Sequence, residues 1–250
     1  MVPRIRGPKE FYDSNTARYH DFERAIDEGR IGVPELTDFR LMERQKLEAM
    51  KGNILYIGAG TASHLIPLAK NGCRVVALEI SQHMLELSKA NLQDAGVPVT
   101  IIAQKNAKAG IEEFLQGGKG VLLVHGDARK IGLPNGFDHA VSFCTLPLMG
   151  RFLGWRNVLK KMARSANNVV VSVYSRENLG KLAAAYSRFG FVPSIRGGTI
   201  KVKGGFSYTV LPNERINDAM PGWYKHTEEH PMGTIYSFKK RVGTAPRGVV

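Results

Sequence analysis

Apolar residues along the chain alternate between short continuous runs and longer stretches of helical period. Ile54–Ile57, Val75–Leu78 and Val121–Val124 are unbroken apolar runs of four. That pattern suits strands buried on both faces of a parallel sheet. Val97–Ala103, Phe137–Phe143 and Val169–Tyr174 read as three more strands. Between the runs, Leu36, Phe39, Met42, Leu47 and Met50 recur at roughly helical spacing, predicting a helix over 35–50. Met84, Leu85, Leu87 and Leu92 predict another over 82–94, and 155–166 is amphipathic. Leu179, Leu182, Ala183, Tyr186 and Phe189 share one helical face closed by Gly190. Strands alternating with helices predict an α/β protein with a doubly wound, mostly parallel sheet. Beyond Tyr174 the pattern changes. Thr199–Val202 and Phe206–Leu211 flank Lys203-Gly204-Gly205, which predicts an antiparallel hairpin over about 195–212. Ile235–Lys239 reads as a last strand, and Lys225–Pro231 as a loop bounded by its proline.

The most informative stretch is 53–81. Its first strand leads into Gly58-Ala59-Gly60-Thr61, a helical run follows to Lys70, Asn71-Gly72 ends it, and a second strand closes at Glu79. Gly58 and Gly60 allow a tight turn and close approach of a ligand. Thr61 or Ser63 is expected to cap the helix, whose free N–H groups attract polar ligand atoms. Glu79 at the second strand end is placed to take the hydroxyls of a ribose. The unit therefore predicts an adenosine-containing cofactor, either a nicotinamide or flavin dinucleotide or S-adenosylmethionine. The dinucleotide fingerprint wants a third glycine where this chain has Ser63.

Length and composition add bounds. The chain has 250 residues, enough for one α/β domain with additions. The expected division is a tail and helical lid over 1–50, the main domain over 51–241 with an insertion at about 104–120, and a disordered tail over 242–250. No stretch approaches a membrane span, residues 1–8 lack an apolar signal core so that secretion is not expected, and Cys73 and Cys144 are too few for a disulfide framework. A cytoplasmic protein is expected. Of the net charge of +13, residues 139–250 carry +12, with 17 Lys+Arg against 5 Asp+Glu. That imbalance predicts an anionic partner, and the candidate cations are Arg151, Arg156, Lys160, Lys161, Arg164, Arg176, Lys181, Arg188, Arg196, Lys201 and Lys203. His226, Glu229 and His230 lack an established ligand spacing, so no metal is expected.

Three segments resemble the class I S-adenosylmethionine-dependent methyltransferases, in particular the group acting on small molecules. They are Gly58-Ala59-Gly60-Thr61, Leu78-Glu79-Ile80-Ser81-Gln82-His83-Met84-Leu85, and Gly126-Asp127-Ala128 with Leu133-Pro134 and Phe137-Asp138. Tyr12-Asp13 and Ala17-Arg18-Tyr19 are similar to an element that precedes the family's core and closes over the cofactor. The resemblance implies a Rossmann-like, seven-stranded class I methyltransferase fold with one antiparallel strand. It also implies methyl transfer from S-adenosyl-L-methionine to an N, O or C acceptor. By resemblance, Gly58, Ala59, Gly60 and Thr61 lie under the cofactor, Glu79 takes the ribose, Ile80 presses on adenine, and Asp127 and Ala128 read the adenine edge. Tyr19, Met84 and Phe143 complete the expected cofactor wall. The chain departs from the pattern at Tyr56, where an acid is usual, at Ala62, where glycine is usual, and at Ser63, where arginine is usual. No catalytic group is assigned, and Tyr12, Tyr19, His20 and Cys144 are the candidates. The expected acceptor is a small or anionic molecule. RNA, a nicotinamide-dependent oxidation, a non-catalytic S-adenosylmethionine-binding role and a homodimer stay open on this reading.

Overall fold

A computed structural model describes residues 8–149, 154–203 and 205–240. The expected tail at 242–250, the first residues of the N-terminal tail and Arg151 lie outside the described residues. Two helices come first, α1 (Pro8–Asp27) and α2 (Pro34–Glu48). Then follow β1 (Asn53–Ile57), α3 (Leu65–Lys70), β2 (Arg74–Glu79), α4 (Gln82–Asp94), β3 (Val99–Ala103), α5 (Ala107–Gly117), β4 (Val121–His125) and β5 (Phe137–Phe143). The chain continues through α6 (Gly154–Ser165), β6 (Ala166–Tyr174), α7 (Leu179–Arg188), β7 (Pro193–Arg196), β8 (Thr199–Val202), β9 (Ser207–Thr209), α8 (Asn213–Asp218), β10 (Tyr224–His230) and β11 (Gly233–Lys239). No helix of the described residues is long and apolar enough to cross a membrane.

The main sheet has eight strands in the order β10-β11-β6-β5-β1-β2-β4-β3. Strand β11 runs antiparallel to both of its neighbours, so every other strand points the same way. The apolar runs act as expected for a sheet covered on both sides. Ile54 and Tyr56 of β1 join the cluster with α1–α4 and α7, while Leu55 and Ile57 join the one with α5 and α6. The sheet has one strand more than the seven expected: β3, expected over 97–103, forms the far edge, and the added strand is β10 at the other. Residues 104–120, expected as an insertion, hold a 3-10 turn and α5, which lead the chain from β3 to its parallel neighbour β4.

The expected loop at 225–231 is instead strand β10, paired along its whole length with β11 from Tyr224↔Lys239 to His230↔Gly233. It forms the sheet edge and is mostly open to solvent. A strand with little to bury carries no hydrophobic alternation, which is why the sequence does not show it. The predicted hairpin is likewise larger, since β7 adds to β8 and β9 to make a separate three-stranded sheet. That small sheet packs on α1, with Phe206 against Phe11 (ring centroids 4.9 Å) and stacked on Tyr12 (5.8 Å). Tyr208 accepts from the Tyr174 N–H at 2.8 Å, fixing the small sheet to the end of β6.

Candidate active site

Strands β1, β2, β4, β5 and β6 all end on the same side of the sheet, and the loops after them meet there. The Gly58 and Ala59 N–H groups both donate to the Leu78 carbonyl, which folds the loop back over β2. Gly58 and Gly60 have φ of +89° and +55°, in the region that favours glycine. Helix α4 holds the same loop from behind, with Ser88 Oγ donating to Gly60 O and Asn91 Nδ2 to Thr61 O. Thr61 does not cap α3. Its hydroxyl donates to Glu23 Oε2 at 2.7 Å, and α3 starts without a side-chain cap. The cap that does form is Ser81 on α4, which accepts from Met84 N.

Glu79 is buried at the end of β2. Its Oε1 accepts from the N–H groups of Ile80 (2.8 Å) and Ser81 (2.9 Å), and its Oε2 from Gly60 (3.2 Å). Burial raises its carboxyl above the ordinary value, and the three donors oppose that rise. The side chain is thus locked in one orientation, with carboxylate lone pairs still facing the cavity.

A cavity of about 360 Å³ opens above these strand ends, within the usual range for small-molecule sites. Every residue expected above at the cofactor, from Tyr19 to Phe143, lies on its wall, together with Tyr12 and Cys144. His20 does not line it. Asp127 is gripped by the Arg129 guanidinium at 2.7–3.1 Å; burial works to raise its carboxyl, and that grip holds it below the usual range. Lys161, one of the candidate cations, donates to the carbonyls of Ala128, Arg129 and Ile131 and so braces the loop beneath. None of the described candidate cations lines the cavity. No group of three or more His, Cys, Asp or Glu among the described residues is arranged to hold a metal ion.

Sequence reasoning missed the polar wall that lid residues form together with Tyr56 and His64 of the main domain. Glu23, Arg40, Glu43, Tyr56 and His64 all face the cavity. Arg40 donates to Glu23 Oε1 and to His64 Nε2, both at 3.2 Å, and its Nε lies 3.7 Å from Glu43 Oε2. Burial works against the Arg40 charge, and the carboxylates led by Glu23 and Glu43 keep the guanidinium protonated. Burial pushes His64 well below its ordinary value, helped by Arg40 and Arg44, so its ring is neutral. Arginine can only donate, so Nε2 of His64 is the acceptor and its Nδ1–H points to Tyr56 Oη, 2.7 Å away. Glu43 accepts from Ser172 Oγ at 2.5 Å, and the Cys144 thiol lies 3.7 Å from the same oxygen. Burial and then the Glu43 charge drive the Cys144 thiol far up, which disfavours its thiolate form. One signal was available: on α2, Glu43 stands four residues from Phe39 and four from Leu47, on the buried stripe rather than the wet one.

The space over the glycine loop fits a bound cofactor. A Cβ at Gly60 would first meet Glu23 Oε2 at 3.5 Å, so the loop is bare on its cavity side and bounded by the lid. Comparison with known proteins agrees. Residues 55–169 match the family described as Methyltransferase domain. No curated protein sequence matches the chain. Among solved structures, the PH0226 protein from Pyrococcus horikoshii OT3 superposes with a TM-score of 0.64 at 17% identity, over 94% of this chain and 100% of that one. An S-adenosylmethionine-dependent methyltransferase from Clostridium acetobutylicum gives 0.59 at 11% identity, over 89% and 98%. The magnesium protoporphyrin IX methyltransferase of Synechocystis with bound S-adenosylhomocysteine gives 0.55 at 16%, over 93% and 98%. At these identities the structural likeness speaks for the fold, and the family match speaks for the domain. Residues 55–169 thus match a methyltransferase domain, carried on the fold of the S-adenosylmethionine-dependent methyltransferases.

Proposed function

We infer that the protein transfers the methyl group of S-adenosylmethionine to a small, uncharged acceptor held among the tyrosines of the same cavity. The observation that carries this reading is the aromatic part of the cavity wall. Tyr12, Tyr19, Tyr174, Tyr186 and Tyr208 converge there from α1, β6, α7 and β9. Burial raises every one of these phenols, so they remain neutral and offer ring faces and hydroxyls rather than charge. The described basic residues of the C-terminal half stand outside, and the two cations on the wall, Arg40 and Arg129, already face carboxylates. The wall's four carboxylates outnumber its two guanidinium groups, so an anionic acceptor or RNA would meet net negative charge inside.

S-adenosylmethionine supplies an already activated methyl group, so the protein's work is alignment and exclusion of water. In this reading Glu79 holds the ribose, its carboxylate fixed by three backbone donors. Ile80 and Ala128 flank the adenine, while Asp127, steadied by Arg129, offers an acceptor at the adenine edge. Phe143 and Cys144 line the cavity at the end of β5, where the acceptor meets the methyl group. Tyr12 and Tyr19 close the site from the lid, their rings edge to face at 4.9 Å.

The test is thermal. S-adenosylmethionine or S-adenosylhomocysteine at millimolar concentration should raise the melting temperature, and NADH should not. The Glu79→Ala protein should bind S-adenosylhomocysteine more weakly by about 1.5–3 kcal/mol, the scale of hydrogen bonds to a charged group. A shift with NADH alone, or unchanged affinity after Glu79→Ala, would overturn the assignment.

A further inference from the structure

The charged groups of that polar wall come from residues outside the matched segment 55–169: Glu23 on α1, and Arg40 and Glu43 on α2. Their side chains are between 4% and 13% exposed. Charges that deep are costly unless paired, and removing one partner of such a set is strongly destabilising. A core needs no such set for packing. The three groups also front a cavity instead of solid protein, and Glu23 stands over the glycine loop, its Oε2 bonded to Thr61 and 3.5 Å from where a Cβ on Gly60 would lie.

We propose that Glu23, Arg40 and Glu43 form the receptor for the α-amino-acid end of S-adenosylmethionine, taking its ammonium at the two carboxylates and its carboxylate at the guanidinium. This rests on the cofactor reading above and goes further, assigning the selection of that ligand to the lid helices. Opposite charges within 4 Å of each other, facing one cavity, are complementary to a zwitterion. Arg40 uses two of its five N–H groups on Glu23 and His64, which leaves donors for an incoming carboxylate. Strand β1 contributes no anion at this end, because its residues on the cavity wall are Ile57 and Tyr56, whose phenol is bonded to His64. Counted as ionised, Glu23, Asp27, Glu43, Arg40 and Arg44 sum to −1 around a neutral His64, with burial working to raise Asp27 and Glu43 and Arg40 opposing it. A ligand bringing a zwitterion and a sulfonium carries the matching +1. The arrangement makes the lid part of the cofactor site, so adenosine alone would be held by the strand ends and the methionine portion by α1 and α2.

Calorimetry with two probes separates these contributions. S-adenosylhomocysteine carries the amino-acid group, and 5′-deoxy-5′-methylthioadenosine has the same adenosine and thioether without it. The native protein should favour the first by more than roughly tenfold, the scale of hydrogen bonds to charged groups. In Glu23→Gln and in Arg40→Lys that preference should shrink by roughly tenfold, while affinity for methylthioadenosine stays within about twofold. If a variant is less stable, the ratio of the two affinities within it still reads the assignment, since general loosening weakens both probes alike. Equal losses for both probes, or an undiminished preference, would overturn the proposal and leave the cofactor reading standing. Failure of both probes to bind the native protein would remove the cofactor reading itself, and this assignment with it.

Discussion

Ala62 sits at φ +67° with its side chain fully buried, in a conformation that costs an L-residue with a Cβ about 1–2 kcal/mol. It continues the turn that Gly58 and Gly60 begin, and the chain tolerates it there because alanine is the smallest side chain after glycine. Ala62→Gly should therefore change stability by less than about 1 kcal/mol, relief of strain offsetting the lost methyl at about 0.8 kcal/mol. Ala62→Val should cost about 2–4 kcal/mol, since a β-branched group meets both the strain and a full core. Urea midpoints at constant slope measure both. At this scale the sequence spoke clearly where a residue type answers a backbone demand: Gly58, Gly60 and Glu79 were legible because few alternatives meet those demands. Arg40 and Glu43 were not, because a charged residue on a helix reads as solvated until its phase against Phe39 and Leu47 is followed.

Among the helices, α1 contributes most to the cavity wall, through Pro8, Tyr12, Tyr19 and Glu23. It is kinked at Asn15, whose φ of −129° and ψ of 20° leave the helix, while its side chain bonds the Phe11 carbonyl. The segment before the kink is fastened to the start of α4 by Asp13, which accepts from Ser81 Oγ at 2.6 Å and from His83 N at 3.3 Å. Burial works to raise the Asp13 carboxyl, and the bonds from Lys9, Ser81 and His83 more than offset it, so the group titrates below its ordinary value. A depressed carboxyl lends its stabilisation above the unfolded value and loses it as pH falls through the folded one. Docking of residues 8–14 should hold at neutral pH and weaken below about pH 4. Hydrogen exchange should show 8–14 losing protection under acid, or at neutral pH in Asp13→Ala, while 53–57 stays protected. Unchanged exchange in that variant would show that the aromatic contacts of Phe11 and Tyr12 hold the helix alone. The lid as a helical addition was readable from the sequence. Strand β10 was not, because an exposed edge has no apolar alternation to betray it.

For the molecule as a whole, the charge that dominates the sequence lies apart from the chemistry. The described cations of the C-terminal half sit on helix and strand surfaces or, like Lys161, brace a loop, and the cavity wall bears four carboxylates against two guanidinium groups. Turnover of a small acceptor should change little between ~50 and ~200 mM salt, whereas an RNA acceptor would lose affinity steeply across that range. Initial rates against ionic strength decide between them, and steep loss would return the positive half to the substrate. The sequence could report that imbalance only as a sum along the chain; its distribution in space belongs to the fold. The two cysteines bring a different consequence. Cys73 is buried, Cys144 sits against Glu43, and burial raises both thiols. Thiol-directed dyes find no ready thiolate on the native surface. A single cysteine introduced at the exposed Ser14, just before the kink, would therefore take a fluorophore selectively and turn lid movement into an optical signal.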